Sequence, residues 1–107
     1  ELVDILPKLT HDGEKRNMVK ILSLIEIPDR LYGKLVDTCF NWINDTDEAI
    51  AIRAFSIDVL WQIAQAYPDL LTELAASLEN MIGRSSRGLE NKAKKTLTEI
   101  YRRQFTG

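Results

Sequence analysis

DEAIAIRAFSIDVLWQIAQAYPDLLTELAASLENMI, residues 47–82, is the stretch on which the fold turns. It divides at Pro68 into two segments of helical period. With about 100° per residue, Leu70, Leu71, Leu74, Ala75, Leu78, Met81 and Ile82 share one arc of the second segment, and Asp69, Thr72, Glu73, Glu79 and Asn80 take the other. The first segment has no such sidedness. Its apolar residues from Ala49 to Ala66 run almost all the way round and leave a narrow polar stripe of Asp58, Gln62 and Gln65. A helix of that kind, too polar to cross a membrane, is expected to be enclosed by other helices. Residues 47–66 are therefore expected to form the centre of a stack.

Outward from this stretch the pattern repeats. Residues 10–43 again read as helix, proline turn, helix, now around Pro28 and at a spacing a little under forty residues. Leu31, Tyr32, Leu35, Val36, Cys39, Phe40, Trp42 and Ile43 fall on one side of the second helix, opposite Gly33, Lys34, Asp37, Thr38, Asn41 and Asn44. Downstream, Leu89, Ala93, Leu97 and Ile100 open a further copy. A period of this size marks a solenoid, in which each helical hairpin buries its apolar faces only against its neighbours. The spacing predicts helices near 2–9, 14–26, 30–44, 47–66, 69–82 and 88–105, the first shortened or bent by Pro7. Pro28 and Pro68 suit the first turn of the helices they precede. Capping side chains at Asp12, at 45–48 and at 85–88 fall where new hairpins start. No segment alternates at strand period, so the class is all-α.

Composition sets the outer bounds. At 107 residues the chain makes one domain, 1–107, and its 45% hydrophobic and 28% charged content is that of a soluble globular protein. No apolar run approaches the eighteen or so residues of a membrane span. Cys39 has no cysteine to pair with and lies among apolar residues, so it is expected in the core, in a reducing and cytoplasmic setting. The chain opens on Glu1 rather than methionine, from which a portion of a longer solenoid is expected.

The central segment resembles the HEAT repeat of the armadillo-like superfamily. Asp47 opens the turn, Ile52 and Arg53 match the hydrophobic-arginine pair, Ser56 takes the small position, and Leu60, Ile63, Pro68, Leu71, Leu74 and Leu78 follow at core spacing. Met18, Leu22, Ile25, Leu31, Leu35 and Cys39 form a looser copy upstream. The resemblance implies a right-handed α-α superhelix of about six helices in antiparallel hairpins. It also implies a structural pairing of Arg53 with Asp47. Independently, Arg53 lies on an apolar arc, where a guanidinium needs a carboxylate or carbonyl partner. The core is expected along Leu22, Ile25, Leu35, Cys39, Ile43, Ile52, Leu60, Ile63, Leu74, Leu78, Leu97 and Ile100.

Chemistry is sparse by comparison. One histidine, His11, and one cysteine fit no zinc spacing, and His11 with Asp12 and Glu14 reads as a turn beside a helix cap. Residues 83–88 lack the strand that a phosphate-binding glycine loop follows. No catalytic residue, metal or cofactor is expected. Charge is more telling, because residues 37–83 carry eight acids against Arg53 alone, whereas residues 84–103 carry seven bases against two acids. Arg84, Arg87, Lys92, Lys95, Arg102 and Arg103 are thus a candidate surface for nucleic acid or another polyanion, set against a simple solvated helix face. In HEAT-like solenoids the second helix of each hairpin lines the concave side. That analogy makes Asp37, Asn41, Asn44, Thr72, Glu73 and Asn80 a candidate surface for a basic or extended protein segment. The expected function is a non-catalytic protein-interaction scaffold or adaptor with a protein or peptide partner. Polyanion binding is the alternative. A HEAT-like DNA-repair glycosylase or lyase is a third and weaker one, since Trp42 and Trp61 fit the core and the second helices carry little positive charge. Oligomeric state is left open.

Overall fold

The computed structural model describes residues 12–106, and the helix expected near 2–9 and His11 lie outside them. Five α-helices follow in order: α1 Asp12–Leu24, α2 Tyr32–Asn44, α3 Ile50–Ala66, α4 Pro68–Met81 and α5 Arg87–Thr106, with a 3-10 turn at Asp29–Leu31 before α2. Each expected helix in this range is present. Boundaries lie within three residues of the expected ones, the largest shift being the start of α3, which is expected at 47 and falls at Ile50. The acids of that turn are spent before the helix begins. Asp47 N–H donates to Asp45 Oδ1 at 2.9 Å and Ala49 N–H donates to Glu48 Oε1 at 3.1 Å.

α3 is the centre. It packs against α1, α2, α4 and α5, as a helix with apolar residues on nearly every side requires. Ile52, Ile57, Val59, Leu60, Ile63 and Ala64 are all buried in it. Around them stand Leu35, Cys39 and Ile43 from α2, Leu74 and Leu78 from α4, and Leu89, Ala93, Leu97 and Ile100 from α5. Each fully buried leucine or isoleucine stabilises the stack by about 1.5–3 kcal/mol relative to exposure. The shortest extent of the molecule is 19 Å, the thickness of two helical layers.

The polar stripe of α3 is used inside the fold. Asp58 accepts from Lys92 Nζ of α5 at 2.7 Å, and Arg103 Nη1 of α5 donates to Gln65 Oε1 at 3.0 Å. Gln62 reaches the opposite way. Its Oε1 accepts from Ile27 N–H and its Nε2 donates to the Ile25 carbonyl, both at 2.8 Å, so one side-chain amide holds both ends of a three-residue stretch of the α1–α2 connection.

This clamp corrects the expected core. α1 stops at Leu24, and the extended stretch that follows leaves Ile25 45% exposed while Ile27 turns inward and is 2% exposed. With the connection held on α3, α1 and α2 each pack more extensively on α3 than on one another. Thr38, expected on the polar side of α2, is buried as well. Pro68 occupies the first turn of α4 as expected, whereas Pro28 stands ahead of a separate 3-10 turn, which its carbonyl closes by accepting from Leu31 N–H at 3.0 Å, and α2 begins only at Tyr32.

The expected Arg53–Asp47 pair is also corrected. Arg53 is 7% exposed, and its Nε and Nη2 both donate to the Ile43 carbonyl, at 3.2 and 2.8 Å. Ile43 is next to last in α2, where carbonyls have no helical donor. A buried cation at this end satisfies an orphan acceptor and meets the negative end of the helix dipole. Asp47 stays exposed in the turn.

Candidate functional site

The repeat places two like turns side by side. Pro28–Asp29 and Pro68–Asp69 are forty positions apart, each at the entry to the second helix of its hairpin. Between these entries runs an open groove of about 700 Å³. One wall is Asp29, Tyr32, Gly33, Val36 and Asp37, the other is Tyr67, Pro68, Asp69 and Leu70, and Ile63 of α3 completes the lining. The tyrosine rings meet edge to face, with centroids 5.5 Å apart and planes at 87°. Tyr67 is 46% exposed. Burial, then the neighbouring Asp29 carboxylate, which also hydrogen-bonds it, push the Tyr32 hydroxyl above its ordinary pKa.

Of the residues expected to form a protein-binding surface, Asp37 alone lines this groove. Asn41, Thr72 and Glu73 are exposed elsewhere on α2 and α4. Asn44 turns back on its own helix, where Nδ2 donates to the Phe40 carbonyl at 2.9 Å. Asn80 Oδ1 accepts from Arg84 Nη1 at 2.7 Å. The tyrosines and the two turn aspartates were not among the expected site residues. The signal for them is the repeated proline-aspartate pair, which reads as turn punctuation until the period stacks one copy beside the other.

The basic residues of the last helix and of the turn before it are largely engaged within the chain. Lys92 pairs with Asp58, Arg84 with Asn80, and Arg102 with Glu99 at 2.9 Å. Arg103 lies 5.9 Å over the Trp61 ring and bonds Gln65. Trp61 is thus half-buried beneath a cation rather than enclosed in the core, while Trp42 is buried as expected. Lys94 pairs with Glu90 at 3.2 Å. Among the described residues, Arg87 and Lys95 make no side-chain hydrogen bond or ion pair.

Acids facing α5 are engaged in the same way. Glu90 Oε2 accepts from Gly83 N–H at 2.9 Å, and this bond, followed by Lys94, holds its carboxyl below the usual range. Tyr101 donates its hydroxyl to Glu79, which with burial raises the tyrosine pKa. Three other acids of the second helices differ from Glu79. Asp37, Asp69 and Glu73 make no side-chain hydrogen bond or ion pair among the described residues.

No group of three or more metal-ligating side chains occurs among the described residues, and none of their helices is long and apolar enough to cross a membrane. The Cys39 thiol is buried beside Ser56, and burial pushes its pKa up to about 12. It is no nucleophile at neutral pH.

A family model described as a HEAT repeat domain matches residues 1–100. No curated protein and no solved structure matches the chain. Proteins of this family are generally non-catalytic and commonly mediate protein interactions. With the match spanning nearly the whole chain, and helical hairpins stacked around α3, the chain belongs to the HEAT repeat domain family.

Proposed function

We propose that this domain is a non-catalytic protein-interaction module, a scaffold or adaptor whose second helices, α2 and α4, receive a basic or extended protein segment. One observation carries the reading. The acids that face or lie on α5, Asp58, Glu79, Glu90 and Glu99, all have side-chain partners within the chain, whereas the exposed Asp37, Asp69 and Glu73 of α2 and α4 have none among the described residues. Exposed like charges with no internal counterpart steer a partner of opposite sign and disfavour partners of the same sign. The polyanion reading draws on a smaller set, since Arg87 and Lys95 are the bases of α5 without a side-chain partner among the described residues.

The test is capture of partners on the immobilised chain, wild type against Asp37→Lys/Glu73→Lys, with circular dichroism to establish that the variant is folded. Loss of the wild-type partners is expected. Full retention of every one would remove the proposal. A labelled DNA duplex titrated against rising salt separates the alternative, which requires tight binding that falls steeply with salt.

A further inference from the structure

The groove between the entries of α2 and α4 has the chemistry of a pocket for one kind of side chain. We infer that it seats an arginine of an extended protein segment, the guanidinium against Tyr67 and among Asp37, Asp69 and Asp29, with its methylene stem along Val36, Ile63 and Leu70. This rests on the interaction reading above and names the partner's anchoring group.

Charge complementarity selects the occupant. The lining carries three aspartates and no basic residue. Two helix entries also point into this region, each contributing roughly +0.5 of an elementary charge, so the carboxylates prevail and leave about −2. An anionic ligand is refused on that balance. An uncharged apolar ligand would leave the carboxylates facing a desolvated neighbour, which is unfavourable. A cation with an apolar stem meets both requirements. Arginine fits better than lysine, because its planar guanidinium stacks on an aromatic face and bridges carboxylate oxygens two at a time. Tyr67 supplies an exposed ring at the mouth, and its edge-to-face contact holds it against Tyr32. Asp29 is already bonded to Tyr32, so Asp37 and Asp69 are the carboxylates left to accept.

The experiment is an amide-resolved NMR titration of the isotope-labelled chain with the peptide acetyl-Gly-Ser-Arg-Ser-Gly-amide. Parallel titrations carry lysine or citrulline at the central position. Saturable shifts at Gly33, Asp37, Asp69 and Leu70 are expected with arginine, weaker binding by about threefold to tenfold with lysine, and none with citrulline, which keeps the shape and loses the charge. Asp37→Asn/Asp69→Asn and Tyr67→Leu, each checked for an otherwise unchanged spectrum, should weaken arginine binding by about tenfold. Equal binding of citrulline, or full binding by the aspartate double variant, overturns the inference. Shifts at Asn41, Thr72 and Glu73 instead overturn it while leaving the interaction face in place. Groove shifts that appear on concentrating the chain without peptide overturn it in favour of a second copy as occupant. If no peptide binds at all, the arginine pocket falls, and the wider reading is judged separately by partner capture.

Discussion

Replacing Arg53 by methionine tests the packing argument at one residue. The unbranched methionine fills much of the volume of the arginine stem but donates no hydrogen bond, so the Ile43 carbonyl loses both its donors while the surrounding core stays filled. Net stabilisation from hydrogen bonds to a charged group is about 1.5–3 kcal/mol, and the charge at the end of α2 adds about 0.3–1 kcal/mol. Relief from desolvating the guanidinium offsets part of this. Arg53→Met is therefore expected to destabilise by about 2–3 kcal/mol, which for a domain near 100 residues lowers Tm by roughly 8–12 °C. Arg53→Lys keeps the charge and one donor, and should cost about 1 kcal/mol. Arg53→Ala also strips two buried methylenes, at about 0.8 kcal/mol each, and should fall near 4 kcal/mol. Urea unfolding followed by circular dichroism gives all three numbers, with the slope against urea expected to stay constant. A methionine variant within about 0.5 kcal/mol of wild type would refute the view that this cation caps α2.

Gln62→Leu should cost about 1–2 kcal/mol, and Gln62→Glu less, because the glutamate still accepts from Ile27 N–H; faster hydrogen exchange at Ile27 in the leucine variant alone is the local signature, and unchanged exchange would contradict the clamp. Gly83 has φ +81° and nothing within 4 Å of where a Cβ would stand, so Gly83→Ala should lose about 1–2 kcal/mol from backbone strain alone, measured by the same unfolding curves. The folded-state pKa of Glu90 is lowered, so its contribution is present above the unfolded carboxylate pKa and is lost as pH falls through the lower folded value. Glu90→Gln should accordingly narrow its stability gap to wild type on acidification through that window, and a gap that widens toward low pH would show the sign to be wrong.

The helices were legible because their signals are local. Apolar period, Pro68 at the head of α4 and the encircling hydrophobicity of α3 each act within a few residues, and the structure follows them closely. Ile25 shows where that logic ends. It has the right spacing for the core, but the helix stops one residue earlier, and a side-chain amide thirty-seven positions away in the chain decides that Ile27 faces inward instead. Arg53 marks the same limit, since spacing shows that it needs a partner and Asp47 lies nearest in the turn, yet the carbonyl at the end of α2 is the acceptor within reach. The groove was half visible. Asp37 follows from the face it occupies on α2, whereas Tyr32 and Tyr67 read as core and turn residues until the repeat sets their turns edge to edge.

A shaft that is smooth on all sides can be turned in its bearing, and α3, apolar almost everywhere, is such a shaft. Greasy contact alone would accept it at many azimuths, with similar areas buried at each. The stripe acts as a key. Asp58 and Gln65 engage α5 on one side while Gln62 engages the α1–α2 connection on another, and a step of one residue, about 100°, would pull every one of them out of its slot. Each misplaced amide or carboxylate would then sit without a partner, a penalty that separates one orientation from its rivals even where hydrophobic burial does not. Because the walls of the groove hang from α2 and α4 on this one axle, the angle at which α3 is keyed also sets the distance between the two tyrosines.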